Sequence, residues 1–320
     1  MVAAVGYPGA PRVMAGSFPL FVVRRLLATV LIAVAASALT FLTLHGLFPE
    51  TFSDTHPLFV ELWLFLERTF LHFDLGQSNA RPLGDVTYLI GRGLAADASL
   101  IAGGLAAGFL LGIAAGAIAA RRPRSIAGRA IDIVGLLALC TPVYVMAMAS
   151  ILIFAPSIDA PIPIGLFEPH KYVPLADDPL GWVRGLLVPW LILGLPLAAV
   201  NMRLTRADLQ DVLDQDYVRT ATAKGLPGWV VLTRHMLPVA MPPAVSLTGS
   251  YVPLLVGNAL LVENVYEVPG SFKLIPHAID VGNYAIIQGL VIVSAVFVVV
   301  CNGIADILLA ALDPRVRTQS

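Results

Sequence analysis

The segment from Asp208 to Pro238 concentrates the polar chemistry of an otherwise apolar chain. Its charges are ordered along the sequence, with acidic residues first and basic residues after them. The charged residues in order are Asp208, Asp211, Asp214, Asp216, Arg219, Lys224 and Arg234. Acids near the start and bases near the end of a helix complement the helix dipole. The order therefore predicts a charged helix that something in water must recognise.

Gly225 and Pro227 break this predicted helix, and Trp229 and its apolar neighbours follow the break. A short helix, a tight glycine turn and a second short helix would form a projecting knob. Such a knob could dock with a soluble partner. An ordinary amphipathic loop would explain the same residues, so the residue pattern alone leaves both interpretations open.

Catalysis has no comparable support in the sequence. The six histidines are scattered without the spacing of metal ligands, and the common hydrolase, metalloprotease and P-loop patterns do not occur. Cys140 and Cys301 lie inside apolar runs, which favours two reduced packing residues over a disulfide. We therefore predict a protein that is not an enzyme and has no metal or cofactor of its own.

Composition places these residues in a membrane. Hydrophobic residues make up 58% of the chain, charged residues 13%, and the mean hydropathy is +0.82. A span needs roughly 20 apolar residues and must be helical, because lipid cannot satisfy an open backbone. Six runs meet this length, near residues 21–46, 96–120, 131–156, 185–203, 240–262 and 284–311. We predict an all-α polytopic membrane protein.

The chain start and the loop charges predict the domain limits and the orientation. Residues 1–17 are rich in Gly, Pro and Ala and predict a disordered leader, so residues 18–320 form a single transmembrane domain. The first run is too long for a signal peptide and predicts a retained anchor. Most Lys and Arg residues fall in the loops that face inward if the N-terminus is cytoplasmic. Both termini and the loop 204–238 are therefore expected in the cytoplasm.

The stretch 58–73 is apolar enough to suggest a seventh span. Glu61, Arg68 and His72 share one face of a helix there, which favours a helix lying on the outer membrane surface. A seventh crossing would also invert every later loop and spoil the distribution of positive charge.

Two features of the spans concern how the helices pack. Glycines recur every fourth residue in the second span, at Gly104, Gly108, Gly112 and Gly116. Small residues at this spacing allow close helix approach, either as packing within the subunit or as a seam that moves. Prolines interrupt the third and fourth spans, at Pro142, Pro189 and Pro196. Bent helices suit a pathway but also occur in static bundles.

Ionisable residues within the spans are few. Asp132, Glu263 and Asp306 lie near span ends, and none lies near the midplane, where a proton- or ion-coupled carrier is expected to place its relay. This argues for an energy source outside the chain, although some carriers use backbone sites at broken helices instead.

The polar segment resembles the cytoplasmic loop of ABC importer permeases. That loop has the pattern E-A-A, three residues, G, nine residues, I, one residue, L-P, and Ala221, Gly225, Leu237 and Pro238 fit it without a gap. The run from Asp216 to Gly225 is similar to the version in oligopeptide and dipeptide permeases. The resemblance covers nearly the whole chain after the leader.

Further stretches are similar to the B-type subunit of that family. They are the opening Val23–Leu27, the outer loop ending in Asp74–Ser78, the turn Glu263–Gly270 and the closing Leu312–Arg315. The chain departs from the family pattern at Arg219, where an acid is usual, at His235, where isoleucine is usual, and at Ser271. These departures concern fine contacts rather than the assignment.

The resemblance implies a six-helix permease of the type I ABC importer fold in a bacterial inner membrane. Residues from about Tyr217 to Thr233 would form a coupling helix that docks on a cytoplasmic ATPase. The coupling residues implied by the match are Tyr217, Arg219, Ala221, Ala223, Lys224, Gly225, Leu237 and Pro238. Gly225 would allow the turn, and Ala221 and Ala223 would permit close approach.

The resemblance also implies partners. They are a second, C-type permease subunit, one or two ABC ATPase subunits that bind ATP and Mg, and an extracytoplasmic peptide-binding protein; no nucleic acid is implied. Peptide would cross the bilayer between the two permeases. The predicted path residues are Pro142, Ser250, Asn258 and Glu263.

Two other classes remain as alternatives. One is a secondary transporter or channel that works without ATP, and the other is a membrane scaffold without a path. Co-purification with a P-loop ATPase would separate them. The identity of the substrate is not specified by the sequence, because in such importers the binding protein largely selects it.

Overall fold

Most of the described chain is helical, as the apolar runs predict. The computed structural model describes residues 17–48, 56–78, 83–121, 125–155, 161–162 and 172–312, without the side chains of 17–26, 28–29 and 305–312. The predicted leader lies outside the described residues apart from Ser17, with which the first helix begins.

The first half of the chain contains α1 (Ser17–Leu47), α2 (Leu58–Leu71), strands β1 (Gln77–Ser78) and β2 (Gly84–Asp85), α3 (Val86–Gly91), α4 (Leu94–Arg121), α5 (Ile126–Cys140) and α6 (Val143–Phe154). The two strands pair antiparallel, with Gln77 opposite Asp85.

The second half contains α7 (Pro179–Leu213), α8 (Asp216–Ala223), α9 (Gly228–Val230), a π-helical turn (Val231–Met236), α10 (Leu237–Ser250), α11 (Val252–Tyr266), α12 (Leu274–Asp280) and α13 (Tyr284–Leu312). Within the described residues, five helical stretches are long and apolar enough to cross a membrane, and a sixth is obtained if α5 and α6 together form one bent crossing. This agrees with the six predicted spans.

The glycines of α4 pack against α7 within the same chain. A methyl group built on Gly108, Gly112 or Gly116 would come within 2.8 Å of a backbone oxygen of α7, from Gly194, Ala198 and Met202 in turn. The contacts advance in the same direction along both helices, so α4 and α7 run parallel. Contact between backbones at this distance identifies the stripe as internal packing. We call this pair the α4–α7 core.

Hydrogen bonds reinforce one end of the α4–α7 core. The indole nitrogen of Trp190 donates to the backbone oxygen of Ser99 at 2.9 Å, and that of Trp182 donates to the Ser99 hydroxyl at 3.3 Å. The two indole rings lie edge to face with centroids 4.8 Å apart. Buried tryptophan normally finds such a partner for its N–H, so both rings are fixed in position.

Two crossings differ from their predicted form. Between α5 and α6 the chain bends by 116° at Thr141 and Pro142, a much sharper change than a proline kink. The predicted fifth span is divided at Tyr251 into α10 and α11. Pro253 lies in the first turn of α11, where its missing N–H costs nothing, so the chain can restart a helix there.

The fourth predicted span is continuous where a break was expected. We expected Pro189 and Pro196 to interrupt it, but α7 continues through both prolines for 35 residues. Pro189 is buried against neighbouring helices, where the lost backbone bond can be tolerated. The helix therefore extends well beyond the predicted end at residue 203 and into the polar segment.

The stretch 58–73 forms the short helix α2 rather than a seventh crossing. Phe65 of α2 is buried and stacks on Phe41 of α1, with ring centroids 5.1 Å apart. Phe59 and Trp63 are exposed on another face. Its 14 residues are too few to span a bilayer. The placement of α2 on a membrane surface stays a prediction.

Candidate functional site

The polar segment forms the predicted helix, glycine turn and second helix. Helix α8 ends in a Schellman motif, in which Gly225 N–H donates to Thr222 O at 2.9 Å and Leu226 N–H donates to Ala221 O at 3.4 Å. Gly225 has a φ of +75°, in the left-handed region that favours glycine. Pro227 then precedes α9 as its N-cap. We call residues 216–236 the knob.

One face of the knob is buried against the rest of the protein. Val218 and Ala221 pack with Leu209 and Val212 of α7 and with Ala117 of α4. Val231 and Met236, from the second half of the knob, belong to the same apolar cluster. The cluster fastens the knob directly to the α4–α7 core.

The opposite face is exposed and carries large apolar side chains. Tyr217, Leu226 and Trp229 are all solvent-exposed, and 66% of Trp229 is accessible. Arg219 and Lys224 are exposed as well. Exposed aromatic and Arg side chains are typical of the residues that dominate protein interfaces. We call this surface the docking face.

Ala221 and Ala223, the two alanines predicted to allow close approach, lie on different faces of α8. Ala223 is exposed, as a docking residue must be. Ala221 is only 5% exposed and lies in the apolar cluster, so it cannot touch a partner. This corrects the predicted role of Ala221, which holds the knob onto α7 instead.

The acidic and basic residues of the polar segment do not follow one another along a single helix, as the sequence predicts they would. Asp208 and Asp211 do not begin a helix, because they lie in the last turns of α7, and Asp214 caps its end. Of the four acids only Asp216 lies in the first turn of α8. Acids at the end of α7 oppose its dipole, so the predicted dipole complement holds for Asp216 alone.

Leu237 and Pro238 mark the return of the chain from the knob to the helical bundle. The N–H of Leu237 donates to Leu232 O, five residues earlier, which closes the wider π-helical turn. Pro238 has no N–H and would crowd a carbonyl in a regular α-helix, and a wider turn relieves this conflict. Leu237 packs on the apolar cluster, whereas Pro238 is exposed.

The four predicted path residues differ in their exposure, and their role in a path stays a prediction. Pro142 and Ser250 are exposed and Asn258 is half-buried. Glu263 is fully buried, so its carboxyl group does not face an open path in this conformation. A cavity of about 320 Å³ lies beside α10, but its lining comes from other residues, among them Phe109, Thr248 and Cys301.

One buried carboxyl group is not predicted by the sequence. Asp97, in the first turn of α4, is fully buried beside Glu263, and its partner Ser271 lies 174 residues further along the chain. An acid in the first turn of a helix is common and gave no local signal of burial. Within the described residues no group of three or more His, Cys, Asp or Glu side chains could hold a metal ion.

Comparison with known proteins agrees with this architecture. Residues 112–318 match the family described as binding-protein-dependent transport system inner membrane component. The matched stretch includes the whole knob and the crossings on both sides of it.

Several curated proteins are similar over most of the chain. A peptide transport system permease of Brucella abortus (strain 2308) is 32% identical over 263 residues, covering 82% of this chain and 81% of its own. The dipeptide transport system permease DppB of Bacillus subtilis (strain 168) is 26% identical, covering 80% and 78%. The oligopeptide transport system permease AppB of the same organism is 38% identical over 42% of this chain and 43% of its own.

The family match spans both the knob and the helical crossings on either side of it. The chain belongs to the family of inner membrane components of binding-protein-dependent transport systems.

Proposed function

We propose that this chain is a permease subunit of an ATP-driven peptide importer. It would form half of the translocation pathway and couple that pathway to a cytoplasmic ATPase. The main support for this proposal is the structure of the knob. Its docking face is exposed on one side, and on the other side a buried apolar cluster fastens it to α4 and α7. A partner that moved the docking face would therefore move the α4–α7 core.

The family and the named relatives support the rest of the proposal. Binding-protein-dependent transport requires an extracytoplasmic binding protein, and the relatives' names indicate peptide as the substrate class. The chain would pair with a C-type permease and one or two ATPase subunits, which would bind ATP and Mg. The knob and both termini would face the cytoplasm of a bacterial cell, in line with the distribution of Lys and Arg.

The buried carboxyl pair does not favour a secondary carrier instead. Asp97 lies in the first turn of α4 and Glu263 in the last turn of α11, so both lie near the same end of the helical bundle. A coupling ion would be expected nearer the middle of the crossing helices. Energy supplied through the knob explains the structure more directly.

Replacement of Trp229 by alanine tests the proposal. Trp229→Ala removes the most exposed aromatic side chain of the docking face, so co-purification of the ATPase and ATP-dependent peptide uptake should fall by about tenfold or more. Trp63→Ala is the matched control, because Trp63 is 67% exposed but lies on α2, which contributes nothing to the apolar cluster of the knob. It should leave ATPase binding unchanged.

Two outcomes would contradict the proposal. Uptake that persists when no ATPase is present would support a secondary carrier. Equal loss of ATPase binding in both tryptophan variants, at normal membrane abundance, would mean that the docking face is not the contact surface.

A further inference from the structure

Two carboxyl groups meet in the interior of this protein, near the end opposite the knob. Asp97 of α4 and Glu263 of α11 are both fully buried, and their carboxyl groups are close neighbours, because the Glu263 carboxyl carbon and Asp97 Oδ1 each lie within 2.3 Å of the position a methyl group on Gly270 would take. Two ionised carboxylates in such contact repel strongly, and burial removes the water that would screen them. The pair must therefore be arranged so that both charges are not present together.

The hydrogen-bond donors around the pair are distributed unequally. Both oxygens of Asp97 accept a bond from Ser271, Oδ1 from its backbone N–H at 2.8 Å and Oδ2 from its hydroxyl. Glu263 Oε2 accepts from the backbone N–H of Lys273 at 2.9 Å. Glu263 Oε1 has no donor among the described residues, although it is fully buried. A proton carried on Oε1 would supply the missing bond.

The positions of the two residues in their helices also favour a negative charge on Asp97 over one on Glu263. Asp97 lies in the first turn of a 28-residue helix, where the helix dipole stabilises a negative charge. Glu263 lies in the last turn of α11, where the dipole disfavours one. Asp97 is therefore the ionised partner and Glu263 the neutral one.

The backbone of Gly270 closes the site. A methyl group built on Gly270 would overlap both the Glu263 carboxyl and Asp97 Oδ1. Gly93, at the start of α4, is packed equally closely against the backbone of Gly270 and Ser271. A proton fits between the two carboxyl groups without displacing this backbone, whereas a cation with its own ligand shell needs more room.

We propose that Asp97 and Glu263 share one proton and act together as positioning residues. They hold the loop 267–273, which follows α11, against the first turn of α4. Loss of the proton at alkaline pH would leave two adjacent charges and release the loop. The inference depends only on the arrangement of this chain and goes beyond the transport function proposed above.

The test compares the pH dependence of unfolding in two proteins. A folded chain that keeps a proton on Glu263 binds one proton more than the unfolded chain at neutral pH, so its stability falls as pH rises. The melting temperature of the full-length protein in detergent should fall by about 2 °C or more per pH unit between about pH 6 and 9. Glu263→Gln keeps a donor at this position but cannot ionise, so its profile should be flatter and should lie above the wild type at pH 9.

Other groups that could titrate near the pair are controlled separately. Among the described residues, Lys273 and Tyr172 also act on the pair. Burial raises the pKa of the Tyr172 phenol above its ordinary value of about 10, so this group titrates above the window. Asp280→Asn, at the exposed end of α12, makes the same change from carboxyl to amide outside the site. Its profile should follow that of the wild type.

Infrared spectroscopy gives a second measurement that does not depend on the folding of the variant. At pH 8 the wild-type protein should show absorption from a protonated carboxyl group, which is lost on alkaline titration and missing from Glu263→Gln. Parallel melting profiles, or no such absorption in the wild type, would overturn the proposal. Stabilisation of the wild type, but not of Glu263→Gln, by added sodium or calcium would overturn it in favour of a bound cation.

Discussion

The Nη1 atom of Arg206 lies between the two carboxylate oxygens of Asp132, 2.7 Å from Oδ1 and 2.9 Å from Oδ2. This ion pair joins α7 to α5 close to the buried face of the knob. Because one nitrogen donates to both oxygens, the contact does not use the two-nitrogen fork that distinguishes arginine from lysine. A single ammonium group could therefore occupy the same position.

We expect Arg206→Lys to keep most of this contact and Arg206→Met to lose it. The Asp132 side chain is 44% exposed, so solvent screens the pair and the loss should be about 1 kcal/mol or less. Thermal unfolding of the purified protein measures the difference, with Arg203→Met on the exposed face of α7 as control. If the lysine variant melts like the methionine variant, the geometry of the guanidinium matters more than its charge.

The α4–α7 core predicts very different costs for two glycine substitutions. A methyl group on Gly108 would come within 2.8 Å of the Gly194 oxygen, so Gly108→Ala must push two helices apart and should cost about 1–3 kcal/mol. Gly257 of α11 has no atom within 4 Å of the same position, so Gly257→Ala should be neutral or stabilise by about 0.5–1 kcal/mol. Melting temperatures of both variants check this, and equal values would mean that the close contact does not form.

Gly225 is required for its backbone conformation rather than for its small size. Nothing lies within 4 Å of a side chain at this position, yet its φ is +75°. Gly225→Asn should therefore retain coupled transport, since asparagine tolerates this region, whereas Gly225→Val should be strained by about 1–2 kcal/mol and lose it. Uptake is compared at matched membrane abundance. Equal activity of both variants would show that the turn is not needed.

Ala221 and Ala223 allow the two faces of the knob to be tested separately. Ala221→Arg would place a charge in the apolar cluster, so the knob should unfold locally and become sensitive to protease. Ala223→Arg lies on the exposed side and should leave protease resistance unchanged while weakening ATPase binding. Protease sensitivity in the second variant, or none in the first, would reverse the assignment of the faces.

The sequence predicts the knob well because its signals are local. Gly225 and Pro227 require a turn whatever the surrounding fold, and the structure has that turn. The faces of α8 were harder to predict, because two alanines two residues apart look alike until α7 is known to continue beneath one of them. The continuation itself was hidden by Pro196, which usually argues against a helix.

The Asp97–Glu263 pair, in contrast, could not be predicted from the sequence. Each residue alone fits a helix end, and only the packing of α4 against the loop after α11 makes them neighbours. No periodicity or local motif carries information about such a contact. The break at Tyr251 is an intermediate case, since Pro253 fits the first turn of a new helix but does not by itself show that the preceding helix ends two residues earlier.

The unbroken length of α7 also sets the scale on which a small rotation acts. Thirty-five residues at 1.5 Å each make a rod of about 52 Å, from the end that carries Trp182 to the base of the knob. A tilt of about 5° about one end of such a rod displaces the other by about 5 Å, close to one helical turn. A modest rotation of this helix is thus enough to move the knob by the width of a side chain, without any change in secondary structure along the helix.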